Sequence, residues 1–211
     1  MRVVLYGATG MIGSRVLKEL LSRGHTVTAV ARDPGKVTAQ PGLTVVKGDV
    51  LDPADIAKIA HGADMIVSAY GPGNDPEKAW LVPESARALL AGVRHGGGPR
   101  LIVVGGAGSL EGKPGQQLVD GADFPAQWKA VASAHRDALG VLRQSDLNWT
   151  YFSPAAMIEP GQRTGKFRLG LEKLVTDDQG ASKISAEDYA IALVDEVESG
   201  RHTRLRFTAA Y

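Results

Sequence analysis

Residues 2–13 read RVVLYGATGMIG, a run of strand formers from Arg2 to Tyr6 followed at once by Gly7-Ala8-Thr9-Gly10-Met11-Ile12-Gly13. From Met11 to Arg23 the apolar residues Ile12, Val16, Leu17, Leu20 and Leu21 recur at helical spacing, and Gly24 supplies the stop. Three spaced glycines arise by chance in a chain with 26 of them, but these three stand between a strand and a helix. Gly7 suits a tight turn off the strand. Gly10 lets backbone approach a diphosphate, and Gly13 lets the helix pack closely on a sheet. With Thr9, Met11 and Ile12 they form a cradle at a helix N-terminus, which offers free N–H groups and about half a positive charge to phosphates. The alternative is a tight turn that holds no ligand.

Outward from that loop the same alternation repeats. Strands are expected at His25 to Arg32, Leu43 to Val46, Asp64 to Tyr70, Leu101 to Val104 and Trp149 to Phe152. Helices are expected around Pro53 to Ala60, through Ser85 to Val93, and over Pro125 to Ser145. Ser185 opens a capped helix running to Gly200, and Thr203 to Thr208 reads as a last strand. Apolar strands separated by helices predict one α/β domain over residues 1–211. Its core is a Rossmann-type doubly wound parallel sheet in the order 3-2-1-4-5-6, with helices on both faces and room for a seventh strand beside the sixth. Two segments resist assignment, residues 110–124 and 155–183. Both follow strands at their carboxyl ends, where open α/β sheets bind ligands, so they are expected to form a substrate rim. The alternative is a pair of idle surface insertions.

Composition removes several function classes. With no cysteine there is no disulfide, thiol nucleophile, iron–sulfur cluster or Cys-containing zinc site. The histidines at 25, 61, 95, 135 and 202 share no ligand spacing, so no metal is expected. Among 211 residues, 24 Lys and Arg balance 23 Asp and Glu, which gives no reason to expect a nucleic acid partner. Apolar runs stop well short of the ~20 residues of a membrane span, so no membrane partner is expected either. Met1 stands directly before a core strand, which leads to the expectation of no signal peptide and a cytoplasmic location. A monomer or homodimer acting on a small molecule fits this inventory. Gly-Ser-Leu around Ser109 lacks the G-x-S-x-G pattern of a nucleophile elbow, which argues against a serine hydrolase.

The second strand carries the cofactor preference. NAD sites usually place an acidic residue about 20 positions beyond the glycine loop to accept from the ribose 2′-OH. Here the strand ends Val30-Ala31-Arg32, and Asp33 precedes Pro34 as a turn initiator. A guanidinium in that place attracts a 2′-phosphate, so NADPH is expected over NADH. The alternative for Arg32 is a solvated loop charge. Asp49 and Val50 after the third strand can cover the adenine, and Ser68, Ala69 and Tyr70 after the fourth can pass along the cofactor ribose.

GATGMIG, VARDPGKV, GDV after the third strand, LRQSDLNWTYFSPAAMIEP and KISAEDYAIALVDEVE together resemble the atypical short-chain dehydrogenase/reductase proteins. The closest subgroup is the NAD(P)-binding, NmrA-related set that includes NADH-flavin reductases and biliverdin-IXβ (flavin) reductase, and the resemblance runs nearly end to end. It implies an arginine on the 2′-phosphate at Arg32, and Ser153, Pro154 and Ala155 beside the nicotinamide. It also implies an active-site serine near Ser109, and a histidine at the helix position of His135.

One departure decides the chemistry. Short-chain dehydrogenases that interconvert alcohols and ketones use a Tyr-x-x-x-Lys pair, and none of the five tyrosines here has a lysine four residues on. The helix that should carry the pair offers Val131 and His135 instead. Hydride transfer to a flavin or another conjugated acceptor, with protons from solvent, remains compatible. His135 and Ser109 are the candidate catalytic groups. His135 lies on the stripe Trp128, Val131, Ala132, His135, Leu139, Leu142, expected to face the sheet, where a histidine can equally be a packed core residue. Phe124 or Trp128 could stack on a planar substrate. The competing function is a non-catalytic, NmrA-type sensor that binds NAD(P). An isomerase or epimerase on a nucleotide-linked or secondary-metabolite substrate stands third, because little chain is left over to hold a sugar nucleotide.

Overall fold

The computed structural model describes residues 1–73 and 75–211. Strand, loop and helix follow one another as the periodicity requires: β1 (Arg2–Tyr6), α1 (Met11–Ser22), β2 (Thr26–Ala31), β3 (Leu43–Lys47), α2 (Pro53–Ala60), β4 (Met65–Ser68), α3 (Leu81–His95) and β5 (Arg100–Val104). The second half runs β6 (Glu111–Lys113), β7 (Gln116–Gln117), α4 (Ala126–Arg143), β8 (Trp149–Ser153), β9 (Met157–Glu159), β10 (Arg168–Gly170), β11 (Lys183–Ser185), α5 (Ala186–Ser199) and β12 (Leu205–Ala210).

The main sheet has the order β3-β2-β1-β4-β5-β8-β12-β10. The expected 3-2-1-4-5-6 order is therefore present, with β8 as the sixth strand and β12 parallel beside it. One strand was not foreseen. β10 closes the edge antiparallel to β12, and at three residues it is too short to show a period. The two segments without assignment also hold small sheets, a β6–β7 hairpin and a parallel β9–β11 pair.

Both faces of the sheet are covered. Val16, Leu17 and Leu20 of α1 join Tyr189, Leu193 and Val197 of α5 on one face. Ile56, Leu89, Val93, Leu139 and Leu142 from α2, α3 and α4 cover the other. Each such side chain contributes roughly 1.5–3 kcal/mol by leaving water. Phe152 stacks between Tyr189 and Phe207, with ring centroids 4.0 Å apart on each side. Among the described residues no helix is long and apolar enough to cross a membrane, and no group of three or more His, Asp or Glu side chains could hold a metal ion.

The chain from β9 to β11 forms a strap held to α5 by carboxylates. Asp188 is fully buried and accepts from the Thr164 and Gly165 N–H groups at 2.8 Å, from the Thr164 hydroxyl at 2.5 Å and from the Tyr211 hydroxyl at 2.9 Å. Glu187 accepts from the Gly161 N–H at 2.7 Å and pairs with Arg15.

Candidate functional site: a dinucleotide cleft and an apolar cavity

Two depressions open along the carboxyl edge of the sheet. The first, about 390 Å³, lies where β1, β2, β3 and β4 end, and Gly7, Thr9, Gly10, Arg32, Asp49, Val50, Ala69 and Tyr70 line it. The three glycines divide their work. A Cβ on Gly13 would sit 2.0 Å from the Gly7 carbonyl oxygen, and one on Gly7, whose φ is +80°, would sit 2.4 Å from the Ala69 oxygen. These two serve packing. A Cβ on Gly10 would meet only the Gly7 oxygen at 3.4 Å, so its missing side chain leaves room in the cleft. No side chain caps α1 and its first turn holds no acidic residue, which leaves its N–H groups available to an anion. The residues present thus fit a dinucleotide diphosphate. Met11 and Ile12 stand in that first turn and do not line the cleft.

Arg32 is exposed and forms no salt bridge among the described residues, while Asp33 turns its carboxylate back onto the Gly35 N–H at 3.3 Å. Asp33 also lines the cleft, with Oδ1 engaged in its own turn and Oδ2 beside the Lys36 ammonium at 3.8 Å. Lys36, one short turn on, also lines the cleft and was missed in the sequence. The Arg-x-x-x-Lys spacing was the available signal. Asp49 commits Oδ1 to the Leu51 N–H at 3.0 Å. Ser68, the last residue of β4, is buried in register with Tyr6 and does not line the cleft, whereas Ala69 and Tyr70 do. Ser153, Pro154 and Ala155 are likewise buried where β8 ends and line neither depression. Ala156 is the first residue beyond β8 to reach the second one.

That second depression is a cavity of about 870 Å³. Its walls are the turn after β5, the β6–β7 hairpin with Phe124, the start of α4, and Ala156, Met157, Leu174 and Thr176 of the strap. Both segments expected to form a rim wall it. Of its lining residues only Lys113, Asp123 and His135 are ionisable. The α4 stripe divides here: Leu139 and Leu142 reach the core, whereas Trp128, Val131, Ala132 and His135 face the cavity. Helical period locates a face but does not say what covers it.

His135 forms part of the cavity floor. Its Nδ1 is sealed and has no hydrogen-bond partner among the described residues. Tyr151 fixes its backbone, donating from the hydroxyl to the His135 carbonyl at 2.8 Å and accepting from the Gly106 N–H at 3.3 Å. Burial pushes the imidazole pKa down to about 4, so the ring is neutral near pH 7. Ser109 is placed elsewhere. It lies buried beneath the turn, accepts from the Arg206 guanidinium at 2.9 Å, and does not line the cavity. Arg206 in turn pairs with Glu172, so the serine is part of a buried ionic network.

Several solved structures resemble the whole chain. A candidate exported protein of Burkholderia pseudomallei is 52% identical with a TM-score of 0.90, and the match covers all of both chains. A candidate epimerase of Bacteroides thetaiotaomicron is 38% identical with a TM-score of 0.92, over all of this chain and 96% of that one. A candidate NADH-flavin reductase of Streptococcus pneumoniae is 35% identical with a TM-score of 0.88, over all of this chain and 99% of that one. Residues 7–199 match the family described as NAD(P)H-binding. That match takes in the glycine cradle, the cleft and the cavity, and the chain belongs to the NAD(P)H-binding family.

Proposed function

We propose that this protein is an NADPH-dependent reductase that passes a hydride to a flavin-like or other conjugated small molecule, acting in the cytosol as a monomer or homodimer. The observation that carries this reading is one sheet edge holding a glycine cradle beside a largely apolar, aromatic-walled cavity. The bound nicotinamide would supply the hydride. Gly10 and the α1 N-terminus would seat the diphosphate, with Arg32 and Lys36 at the 2′-phosphate. Phe124 and Trp128 would exclude water from a planar acceptor, and neutral His135 would orient it by a hydrogen bond. With Val131 and His135 where a Tyr-x-x-x-Lys pair would stand, protons come from solvent. The candidate NADH-flavin reductase among the similar structures supports the acceptor class. The test mixes the protein and NADPH with FMN, FAD, quinones and biliverdin and follows the nicotinamide absorbance. Binding without turnover on any acceptor would instead assign the NAD(P) sensor, the reading favoured by the absent tyrosine–lysine pair.

Arg32→Ala is expected to erase most of the preference for NADPH and to leave NADH affinity nearly unchanged. A charge-assisted bond to phosphate contributes about 1.5–3 kcal/mol, or roughly tenfold to a hundredfold in affinity. Parallel titrations with both nucleotides check this, and a parent protein that prefers NADH would refute it.

His135→Ala is expected to lower kcat/KM by roughly five- to a hundredfold, the range of an orienting contact, with cofactor affinity unchanged. The parent's pH profile should show no histidine step between pH 5 and 8, because this imidazole titrates near pH 4. A thousandfold loss would make it a proton donor instead. Stability carries the same signature. Below its ordinary 6.5 the unfolded imidazole takes up a proton that the folded ring refuses until about 4, so stability falls as pH drops through that window. His135→Asn should flatten that fall.

A further inference from the structure

His135 stands on the cavity side of α4, its carbonyl tied to β8 by the Tyr151 hydroxyl. The turn after β5 presses on the root of its ring. A Cβ on Gly106 would stand 3.0 Å from His135 Cβ and Cγ and 3.3 Å from Cδ2, tighter than side chains usually pack. The imidazole is therefore held from two sides, and its two nitrogens meet different surroundings.

Nδ1 is the sealed nitrogen, without a hydrogen-bond partner among the described residues. The residue as a whole is only partly buried and lines the cavity, which leaves Nε2 as the ring nitrogen within reach of a molecule there. Burial keeps the ring neutral near pH 7, and a neutral imidazole carries one proton that either nitrogen can hold. On Nδ1 that N–H would be a buried donor without an acceptor, a rare and costly arrangement, whereas an unpaired lone pair is better tolerated. On Nε2 the N–H meets whatever occupies the cavity. Packing thus selects the Nε2–H form, and the floor offers a donor. The other ionisable lining residues, Lys113 and Asp123, are of opposite sign and both exposed, so neither replaces it there.

We propose that His135, as the Nε2–H tautomer, donates a hydrogen bond to a carbonyl oxygen of the acceptor, which makes the substrate a conjugated ring carbonyl of the kind quinones and flavins carry. The inference rests on the cavity being the acceptor site of the proposed reductase. The hydride given up by the reduced nicotinamide adds to the conjugated framework, and the displaced electron pair shifts onto that oxygen. The Nε2–H holds the new negative charge there until solvent supplies a proton.

The tautomer can be read by nitrogen NMR near pH 7 on protein with isotope-labelled histidine, the His135 signals being those missing from a His135→Gln sample. Nε2 couples strongly to both ring C–H protons and Nδ1 to only one, so the spectrum shows which nitrogen carries the proton. It is expected on Nε2, and a proton on Nδ1 overturns the proposal. Kinetics with menadione and FMN test the partner. A glutamine amide reaches the position of Nε2 and an asparagine amide that of Nδ1. His135→Gln should therefore keep kcat/KM within about threefold of the parent, while His135→Asn should fall roughly five- to a hundredfold, as His135→Ala does. NADPH affinity should be the same in both. An asparagine variant as active as the glutamine variant overturns the assigned donor. A parent protein that reduces only acceptors without a carbonyl oxygen overturns this inference alone, and one that reduces no acceptor refutes the reductase reading and the bound carbonyl with it.

Discussion

A Gly10→Val protein is expected to fold as the parent does and to lose NADPH affinity by at least about a hundredfold, ~2.7 kcal/mol. Gly10 has φ −76° and ψ 170°, a conformation open to any residue. Inside the chain its Cβ would meet only the Gly7 oxygen, at ordinary van der Waals distance. Replacing a glycine N-cap with valine costs the helix about 1 kcal/mol, which a domain with two buried faces tolerates. The valine methyls would instead fill the space a diphosphate needs to reach the α1 N–H groups. Gly13→Ala is the contrasting control. Its Cβ would overlap the Gly7 carbonyl at 2.0 Å, so that variant should lose stability before any question of binding arises. Thermal melts paired with NADPH titration separate the two, and parental affinity in folded Gly10→Val protein would remove this loop from the site.

The second large effect belongs to the strap. Asp188→Ala should cost about 3–5 kcal/mol of stability, because it leaves the Thr164 hydroxyl, the Tyr211 hydroxyl and two backbone N–H groups without their acceptor. Burial pushes the Asp188 carboxyl pKa up, but the bonds from Thr164, Gly165 and Tyr211 outweigh that and hold it below the usual value. Its stabilisation is therefore complete above the ordinary carboxylate range and lost as pH falls through the folded value. If the cavity holds the proposed acceptor, turnover should suffer along with stability, since Met157, Leu174 and Thr176 of the strap wall that cavity, whereas the cleft draws on none of them. Denaturant unfolding with an NADPH titration measures both. A parental midpoint in Asp188→Ala would show the carboxylate to be a passive neighbour.

What could be read from the sequence was what is local. The step from β1 through the glycines into α1 shows within residues 2–23, because a continuous apolar run passes through a loop of special composition into apolar residues at helical spacing. Arg32, Asp49 and Tyr70 could be assigned to the cleft because each stands one or two residues past a strand end, and a parallel sheet brings its strand ends to one edge. Ser68 is buried at the end of β4, one residue short of those that line the cleft, and strand ends are legible in a sequence only to within a residue or two. The Ser109 bond to Arg206 was not legible, because its partner is 97 residues away in sequence and no local pattern announces it. The strands β6, β7, β9, β10 and β11 have two or three residues each, too few for any alternation to stand out.

The two depressions draw on separate stretches of chain. Every residue lining the cleft lies between Tyr6 and Leu81, and every residue lining the cavity between Gly106 and Gly180. Selection on one can therefore proceed with little constraint from the other. On the proposed function, substitutions in the later stretch would retune which molecule is accepted while the nucleotide grip is inherited unchanged, and a single crossover between Leu81 and Gly106 would exchange one acceptor preference for another. A shared grip beneath divergent cavities is how one ancestral scaffold could give rise to relatives with different chemistries.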